Sequence, residues 1–395
     1  MMTNIKNILL SSCLSGLLLC LAACSSDKGY DDNYQPADFL PNTGEPEITA
    51  VYAGTDIQLA TPISEGKPGD NIIIVGKNLN NLKALKFNTV EADLSKTYTV
   101  ATKAYVSIPT AFSLERQNLI EYTTDKGTTT YPFVVKFPEL VVSHLDNEFA
   151  APGDVVKIVG ENFDYYGFDE KESESKVTIN GKAVAIAYVS AEGIGVTVPA
   201  GTGDNSTVTV SWKSTDGEAQ TASLPLRPTK GRLFKELTKR MLLKTDRAVS
   251  IEDDSQVTSC TSRLGTSHLH ISGTLRAWSW LELAVTQQLP ELGISDVKDY
   301  NLVFELLTAE GNKLLGEGYE FAWNSDWDNA YKWNPGGGYG LTTNGKWQTV
   351  RLPLSEIAPK GLGKSGDTMN LSFGFQPSET YMSDFRLGNF RIQEK

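Results

Sequence analysis

The sequence has few of the residues that metal and thiol chemistry require. It holds four cysteines and three histidines in 395 residues. Zinc sites and cysteine proteases need these residues in pairs or clusters, so such activities have little support. Positive charge is also scarce: 36 Lys and Arg stand against 48 Asp and Glu, a net charge of −12. A chain of this sign repels polyanions, so no nucleic-acid partner is expected, and a neutral polymer fits without repulsion.

An apolar stretch near the N-terminus is short. It runs from Ile8 to Leu21, follows Lys6 and is interrupted by serine and cysteine. It is too short and too mixed for a membrane-spanning helix and is typical of a signal peptide. The stretch ends in Leu21-Ala22-Ala23-Cys24, the lipobox pattern of small residues before a lipidated cysteine. We expect residues 1–23 to be a lipoprotein signal peptide and Cys24 the lipid anchor. An ordinary signal peptide with a chance cysteine is the alternative.

A tether is expected after the anchor. Residues 24–45 are rich in Ser, Asp, Gly, Pro and Asn, a composition typical of a flexible segment. The acidic residues soon after Cys24 resemble the export signal of surface-exposed lipoproteins in Bacteroidetes. Cys13 and Cys20 would leave with the signal peptide, so Cys260 alone remains as a thiol and no intramolecular disulfide is possible. We expect the Cys260 thiol to be buried or partly buried.

The chain contains an internal repeat. Two motifs keep one offset in both copies: Pro68-Gly69-Asp70 with Val75-Gly76-Lys77-Asn78, and Pro152-Gly153-Asp154 with Val159-Gly160-Glu161-Asn162. Pro-Gly-Asp predicts a tight turn, and the β-branched residues after it predict a strand. The following Gly-x-Asn accommodates a positive φ or a bulge where the chain turns back.

These residues resemble the IPT/TIG domain, an immunoglobulin-like β-sandwich. The second copy is the cleaner match, because it adds a predicted short hairpin at Val177-Thr178-Ile179-Asn180-Gly181. We place the two copies at residues 46–137 and 138–228, about 90 residues each, which is ample for one sandwich. Pro138 and Pro228 are expected to stiffen the junctions. The copies are interpreted as spacers, because neither has a dense cluster of aromatic residues.

Residues 229–395 are too long for another repeat, and their predicted strands alternate. In 280–285 the leucines and the valine fall on one face, while Trp280 and Glu282 fall on the other with Trp278 upstream. In 370–376 the positions of Ser372, Gly374 and Gln376 are expected to point outward. Such half-buried strands predict a two-sheet antiparallel sandwich. The predicted fold is therefore all-β, with two immunoglobulin-like IPT/TIG sandwiches followed by a larger jelly-roll-like β-sandwich. A short helix at 232–244 is a further expectation.

Six of the seven tryptophans follow residue 270, and three lie in 321–339 among Asn, Asp and Gly. Rigid aromatic rings beside placed polar groups are the chemistry of a recognition site, and sugars stack their C–H faces on such rings. The alternative is a polar loop whose aromatic residues pack back on a sheet. Trp347 is expected to be structural. The candidate ligand-binding residues are Trp327, Trp333, Tyr331, Trp323, Tyr339, Trp278, Trp280, Asn324, Asp326 and Asp328, of which Trp327 and Trp333 are the preferred platform. The polar residues among them are equally typical of turns.

The order of lipobox, acidic tether, tandem IPT-like domains and aromatic C-terminal module is similar to the surface glycan-binding proteins of Bacteroidetes polysaccharide utilisation loci, in particular the SGBP-B type. This resemblance implies a monomeric, outer-membrane lipoprotein exposed at the cell surface. It also implies binding of a neutral plant polysaccharide, a β-glucan such as xyloglucan or mixed-linkage glucan. A SusC/SusD-like uptake complex is the implied partner, and no cofactor is implied.

Two other functional classes stay open. A glycoside hydrolase needs two carboxylates that face each other across a cleft; Glu282 is one candidate, and the sequence offers no clear second. A surface adhesin or structural protein is the other alternative. The spacing Asn324-x-Asp326-x-Asp328 resembles the start of a calcium-binding loop, but the rest of the pattern does not fit. Such loops carry Gly at the sixth position and Glu at the twelfth, where this sequence has Asn329 and Pro335. We therefore expect no catalytic residues and no metal ligands.

Overall fold

The computed structural model describes residues 40–111, 117–215, 217–244, 248–257 and 264–395. The expected signal peptide, Cys24, most of the tether and Cys260 lie outside these ranges. The chain divides into two compact units, up to Pro138 and from Glu139 to Lys395, and each is described by itself. Within the described ranges, no helix is long and apolar enough to cross a membrane.

The first unit is a β-sandwich. Its strands are β1 (Glu47–Ala53), β2 (Glu65–Gly66), β3 (Asn71–Lys77), β4 (Leu82–Phe87), β5 (Val90–Glu91), β6 (Tyr98–Thr99), β7 (Lys103–Ser107), β8 (Leu119–Thr124), β9 (Gly127–Pro132) and β10 (Val134–Val135), with a 3-10 turn at Leu94–Lys96. Two antiparallel sheets have the orders β1-β3-β7-β6 and β5-β4-β8-β9, and β2 pairs with β10 in parallel. Alternate residues of these strands form the core, as in β8, where Ile120 and Tyr122 are buried and their neighbours are partly exposed.

The second unit begins with a sandwich of the same design. Its strands are β11 (Val141–Leu145), β12 (Val155–Glu161), β13 (Lys176–Ile179), β14 (Lys182–Ala183), β15 (Ile186–Ser190), β16 (Gly193–Thr197), β17 (Ser206–Lys213) and β18 (Ala219–Leu226), with a 3-10 turn at Phe163–Tyr165. The sheets run β11-β12-β16-β15 and β14-β13-β17-β18, the same orders as in the first unit. The predicted hairpin is present, since Asn180 and Gly181 both have positive φ between β13 and β14.

The repeated motifs make equivalent hydrogen bonds and close backbone approaches in both copies. Asp70 and Asp154 each accept a hydrogen bond from the backbone three residues upstream, at 2.8 and 2.9 Å. A Cβ at Gly76 would lie 1.9 Å from a carbonyl oxygen of β1. A Cβ at Gly160 would lie 1.8 Å from one in β11. Asn78 and Asn162 both adopt positive φ. Their side-chain amides donate to the carbonyls of Glu45 and Glu139, each of which lies two residues before the first strand of its copy. The repeat is therefore a repeat of turn and close-approach geometry.

The C-terminal sandwich is larger. Its strands are β19 (Leu242–Lys244), β20 (Val249–Glu252), β21 (His268–Leu275), β22 (Leu281–Gln288), β23 (Tyr300–Thr308), β24 (Tyr319–Trp323), β25 (Tyr331–Trp333), β26 (Gln348–Pro353), β27 (Thr368–Phe375) and β28 (Tyr381–Glu394). One helix, α1 (Leu354–Ile357), is described, and 3-10 turns lie at Lys239–Met241, Val297–Asp299, Trp327–Asn329 and Pro335–Gly338. The expected helix at 232–244 is wrong: the segment holds a 3-10 turn and β19, which pairs with β22.

Two five-stranded antiparallel sheets enclose the C-terminal core. Their orders are β19-β22-β27-β24-β25 and β20-β21-β28-β23-β26. The inward residues are aliphatic and aromatic; among the aromatic ones, Tyr319 and Phe375 stack at 4.2 Å with rings 7° from parallel. The fold class predicted from the alternating strands, two immunoglobulin-like sandwiches followed by a larger β-sandwich, is confirmed.

A buried charge network joins the two sandwiches of the second unit. Glu148, on the segment between β11 and β12, accepts hydrogen bonds from Arg391 at 2.7 Å and from Gln393 at 2.9 Å. Arg351 also donates to it. Arg391 is fully buried and lies 2.9 Å from Glu305. Because buried charges need such partners, these contacts hold the second sandwich against the C-terminal one.

An apolar cluster lies beside the charge network. Phe149 of the second sandwich packs with Trp347 and Leu307 of the C-terminal one. Trp347 is almost fully buried and meets His268 edge-on at 5.2 Å between ring centroids. The expectation that Trp347 is structural is confirmed.

Candidate functional site

The outer face of one C-terminal sheet carries the candidate site. Leu281 and Phe373 point into the core, so the alternate residues of β22 and β27 point away from it. Gly374 of β27 pairs on one side with Glu282 of β22 and on the other with Glu320 of β24. Gly374 is therefore the centre of a short row across the sheet.

Trp280 and Trp327 lie over this glycine. A Cβ at Gly374 would stand 2.3 Å from Cη2 of Trp280 and 3.1 Å from Cη2 of Trp327, so only glycine leaves room for both rings as they lie. The ring centroids are 5.4 Å apart and the planes meet at 78°. Trp280 is 42% exposed and Trp327 is partly exposed. We call Trp280 and Trp327 the tryptophan pair.

A tight turn places Trp280. Trp278, which has a positive φ of 63°, donates its backbone N–H to Pro377 at 2.7 Å and accepts from the side chain of Gln376 at 3.1 Å. Ser279 bonds back to Arg276 through both its amide and its hydroxyl. The turn leaves the Trp278 side chain 70% exposed beside the start of β22. Trp278 thus presents an exposed indole two residues before Trp280 in the chain.

Polar residues of the 324–329 segment place Trp327. The backbone N–H of Asn324 donates to the Asn370 carbonyl, and the Asn324 side chain accepts from the Asn370 N–H at 2.9 Å. Asp326 accepts from Lys360 at 2.7 Å and from Asn329 at 3.1 Å. The Lys360 ammonium and the Asn329 amide hold the pKa of Asp326 below its usual range. Asn324 and Asp326 therefore fix the loop, while Asp328 is exposed beside Trp327.

Three predicted site residues face the core instead. Trp333 is 6% exposed and packs perpendicular to Phe304 at 5.7 Å, and Trp323 is 3% exposed with its indole N–H bonded to the Leu362 carbonyl. Tyr331 is partly buried against the same core. The expectation that Trp333 forms the platform with Trp327 is therefore wrong, and so is that for Trp323, while Tyr331 keeps part of its surface exposed and stays a prediction. The physical reason is sheet register, which pairs all three with inward positions of β24 or β27.

Tyr339 lies on a different loop from the tryptophan pair. It ends the Pro335–Gly338 turn and is 86% exposed. That turn packs against the backbone of Gly316, where a Cβ would lie 1.8 Å from the Gly338 carbonyl oxygen. Tyr339 is available to a ligand on that loop.

Sequence reasoning missed the importance of Gly374, Glu320 and Lys332. Lys332 of β25 lies opposite Glu320, so the row across the outer face reads Glu282, Gly374, Glu320, Lys332. One signal was present in the sequence. A glycine at an outward position inside an alternating strand often marks a close approach by another group.

Comparison with known proteins identifies both domains of the second unit. Residues 245–394 match the family model described as surface glycan-binding protein B xyloglucan binding domain. Residues 141–226 match the IPT/TIG domain model. The tryptophan pair and its row of outward residues fall inside the first match.

Solved structures share this fold. The crystal structure of surface glycan-binding protein PbSGBP-B from Prevotella bryantii aligns with a TM-score of 0.56 and 18% identity, over 89% of this chain and 99% of that one. An SGBP-B from a complex xyloglucan utilization locus in Bacteroides uniformis aligns with a TM-score of 0.50 and 16% identity over the same shares. At these identities the likeness establishes the fold.

A curated relative extends the comparison to sequence. An IPT/TIG domain-containing protein of Bacteroides ovatus is 26% identical over 160 residues. The match spans 38% of this chain and only 30% of that relative's length. The resemblance to the SGBP-B type is confirmed by the family models, since residues 245–394 match the xyloglucan binding domain of surface glycan-binding protein B and follow a match to the IPT/TIG domain.

Proposed function

We propose that the protein binds a neutral polysaccharide on the tryptophan pair, with Trp278 extending the surface. The observation that carries this proposal is the exposed, mutually perpendicular pair of indoles seated on Gly374. Sugar rings offer apolar C–H faces that stack on such surfaces, and rigid aromatic side chains contribute contact area at low entropic cost. Tyr339 and Asp328 are exposed and are proposed as further contacts.

The proposed ligand is a β-glucan, xyloglucan or mixed-linkage glucan. The family model that covers the tryptophan pair is a xyloglucan-binding one, and the aligned Bacteroides uniformis protein belongs to a xyloglucan utilization locus. Anchored through Cys24 as a monomer in the outer membrane, the protein would hold the glycan at the cell surface and deliver it to a SusC/SusD-like uptake complex. The proposed domains are 46–137, 138–228 and 229–395, the first two as spacers.

The hydrolase alternative has a second carboxylate in the structure but an unsuitable arrangement. Glu282 and Glu320 stand on either side of Gly374, about 10 Å apart across two strand spacings. The tryptophan pair lies between them, so the carboxylates flank an aromatic ridge and do not face each other across a cleft. A binder that releases the glycan intact is the function this geometry supports.

Affinity electrophoresis of the purified protein through gels with xyloglucan, mixed-linkage glucan, laminarin or mannan tests the proposal. The double change Trp280→Ala and Trp327→Ala should abolish retardation. Each stacked ring contributes about 1–3 kcal/mol in a recognition site, and micromolar binding amounts to about 8 kcal/mol. Trp212→Ala is the matched control, because Trp212 is a partly exposed tryptophan of the second sandwich.

Four results would decide against this function. Retardation of the double variant equal to wild type would exclude the tryptophan pair as the site. A collapsed melting temperature of that variant would show that the rings are core residues. Reducing ends released from the polysaccharide would indicate a hydrolase, and retardation by none of the polysaccharides would favour an adhesin or structural protein.

A further inference from the structure

A cleft lies between the second sandwich and the C-terminal one, within the second unit. Strands β11 and β18 line one side, and the loop after β22, the start of β23, β26 and the end of β28 line the other. Its volume is about 820 Å³, which falls in the range of small-molecule sites, and such sites occur preferentially at domain interfaces. The described residues that line it do not include Trp280, Trp327 or Gly374, so the cleft is distinct from the tryptophan pair.

Hydrogen-bonded charges hold the two sides of the cleft together. Glu148, on the segment after β11, accepts hydrogen bonds from Arg351 and Gln393, which line the opposite side, and from the buried Arg391. Because these contacts link the two sandwiches directly, the cleft is pre-formed, and a ligand needs little rearrangement of the protein to enter it.

Four residues with polar side chains line the cleft: Ser143 and His144 of β11, Ser223 of β18 and Asn301 of β23. Within the described ranges, none of these four side chains makes a hydrogen bond to the protein. Burial, and next the Arg351 guanidinium, lowers the pKa of His144, so its imidazole is neutral at pH 7. A hydroxyl, an amide and a neutral imidazole each offer both a donor and an acceptor, as the hydroxyls of a sugar do.

Apolar residues form another part of the wall. Leu292, Ile294 and Tyr300 line the cleft and pack, partly buried, against the C-terminal core. Apolar and aromatic side chains of this kind can contact the C–H faces of sugar rings, while a few polar groups fix the orientation of the ligand.

The charged residues of the lining carry both signs. Glu148 and Arg351 are bonded to each other, and Lys230, Glu394 and Lys395 are exposed. A strongly charged ligand therefore meets charges of its own sign as well as of the opposite sign, whereas a neutral ligand meets no repulsion.

We propose that this cleft is a second carbohydrate-binding site, which takes a short segment of a neutral glycan. The combination of donor–acceptor side chains and an apolar wall in a pre-formed interdomain cleft carries the proposal. The second sandwich then contributes side chains to binding as well as length between domains. The site goes beyond the tryptophan pair and does not depend on it, so the two can be tested separately.

Cellotetraose, a neutral β-1,4-linked glucose oligosaccharide, tests the proposal. Native mass spectrometry of the purified protein should count two bound copies, one on the tryptophan pair and one in the cleft, and titration calorimetry gives their affinities. The double change Ser223→Ala and Asn301→Ala should weaken binding of the cleft copy by about tenfold, since each hydrogen bond lost costs about two- to tenfold. The double change Trp280→Ala and Trp327→Ala should remove the other copy and leave the cleft copy in place.

The matched control is the double change Thr209→Ala and Ser211→Ala. Both are partly exposed polar residues of β17 in the same sandwich, outside the described lining of the cleft. This control should bind both copies as the wild-type protein does. Its melting temperature should agree with that of the cleft variant, because Ser223 is exposed and Asn301 precedes the inward Leu302 and points away from the core.

The outcomes separate this inference from the proposed function. Loss of all cellotetraose from the Trp280→Ala and Trp327→Ala variant overturns the inference and leaves the proposed function standing. Equal affinities of the cleft variant and the control for both copies overturn the inference as well. A single wild-type copy that persists in the tryptophan variant and weakens in the cleft variant supports the inference and overturns the tryptophan pair as the site. Binding of no cellotetraose by the wild-type protein overturns the inference, and retardation by the polysaccharides then decides the proposed function by itself.

Discussion

The change Gly374→Ala should weaken glycan binding without unfolding the domain. The new Cβ would lie 2.3 Å from the tip of the Trp280 ring, whereas carbon atoms rest at about 3.5–4.0 Å from each other. The ring must therefore retreat by more than about 1 Å, and Trp327 at 3.1 Å must shift slightly. Both rings are partly exposed and have solvent to move into. Gly374 itself has no left-handed φ, so alanine adds no backbone strain.

The expected size follows from the contact that is lost. Each stacked ring contributes about 1–3 kcal/mol, and 1.4 kcal/mol is tenfold in Kd. Gly374→Ala tilts mainly one ring and should cost about tenfold in affinity. Gly374→Val displaces both rings and should cost about a hundredfold. The free energy of unfolding should change by less than about 1 kcal/mol for Gly374→Ala, because no core side chain is altered.

Titration calorimetry with the retarding glucan gives the affinity, and thermal unfolding gives the stability. Gly203→Ala is the matched control: it adds the same methyl group where nothing lies within 4 Å of the new atom and φ is ordinary. Affinity of Gly374→Ala equal to that of Gly203→Ala would refute the idea that the rings must rest on glycine to bind glycan.

Three further changes test other parts of the molecule. Glu148→Ala should destabilise the second unit by about 3–5 kcal/mol in urea unfolding, because it leaves the buried Arg391 short of a partner; a loss below 1 kcal/mol would contradict that role. Burial lowers the pKa of the His268 imidazole from its ordinary value of 6.5. As the pH falls below about 6.5, the unfolded chain takes up a proton that the folded chain resists, so the free energy of unfolding should decrease as the pH decreases. His268→Phe should flatten that slope between pH 7.5 and 5, and an unchanged slope would assign it to other groups. Cys24→Ala should remove the protein from the cell surface, so whole-cell labelling equal to wild type would exclude the lipid anchor.

The network at Glu148 also bears on the autonomy of the C-terminal domain. A fragment of residues 229–395 would lose Glu148 as a partner of Arg391 and Phe149 as a neighbour of Trp347. The interpretation of the first two domains as spacers implies that this fragment folds and binds glycan alone. A fragment of residues 139–395 keeps both the Glu148–Arg391 pair and the contact of Phe149 with Trp347, so we expect the longer fragment to be more stable.

The sequence by itself determined the architecture and the repeat. Pro-Gly-Asp and Gly-x-Asn are local signals, because a tight turn, a positive φ and a close approach each depend on a few consecutive residues. Period-two alternation likewise separated Trp280 and Glu282 from Leu281, since successive side chains of a strand point to opposite faces. These signals needed no knowledge of distant residues.

Only the tertiary structure decided which tryptophans are exposed. Polar neighbours made Trp333 look like a surface ring, but β25 pairs with β24 in a register that sets Trp333 opposite Tyr319, in the core. Gly374, over which the tryptophan pair lies, is about 50 residues from Trp327 and about 90 residues from Trp280 in sequence. Alternation shows which residues of one strand share a face. Which strands become neighbours, and at what register, depends on packing between segments far apart in the chain, and that packing alone brings the two rings onto one glycine.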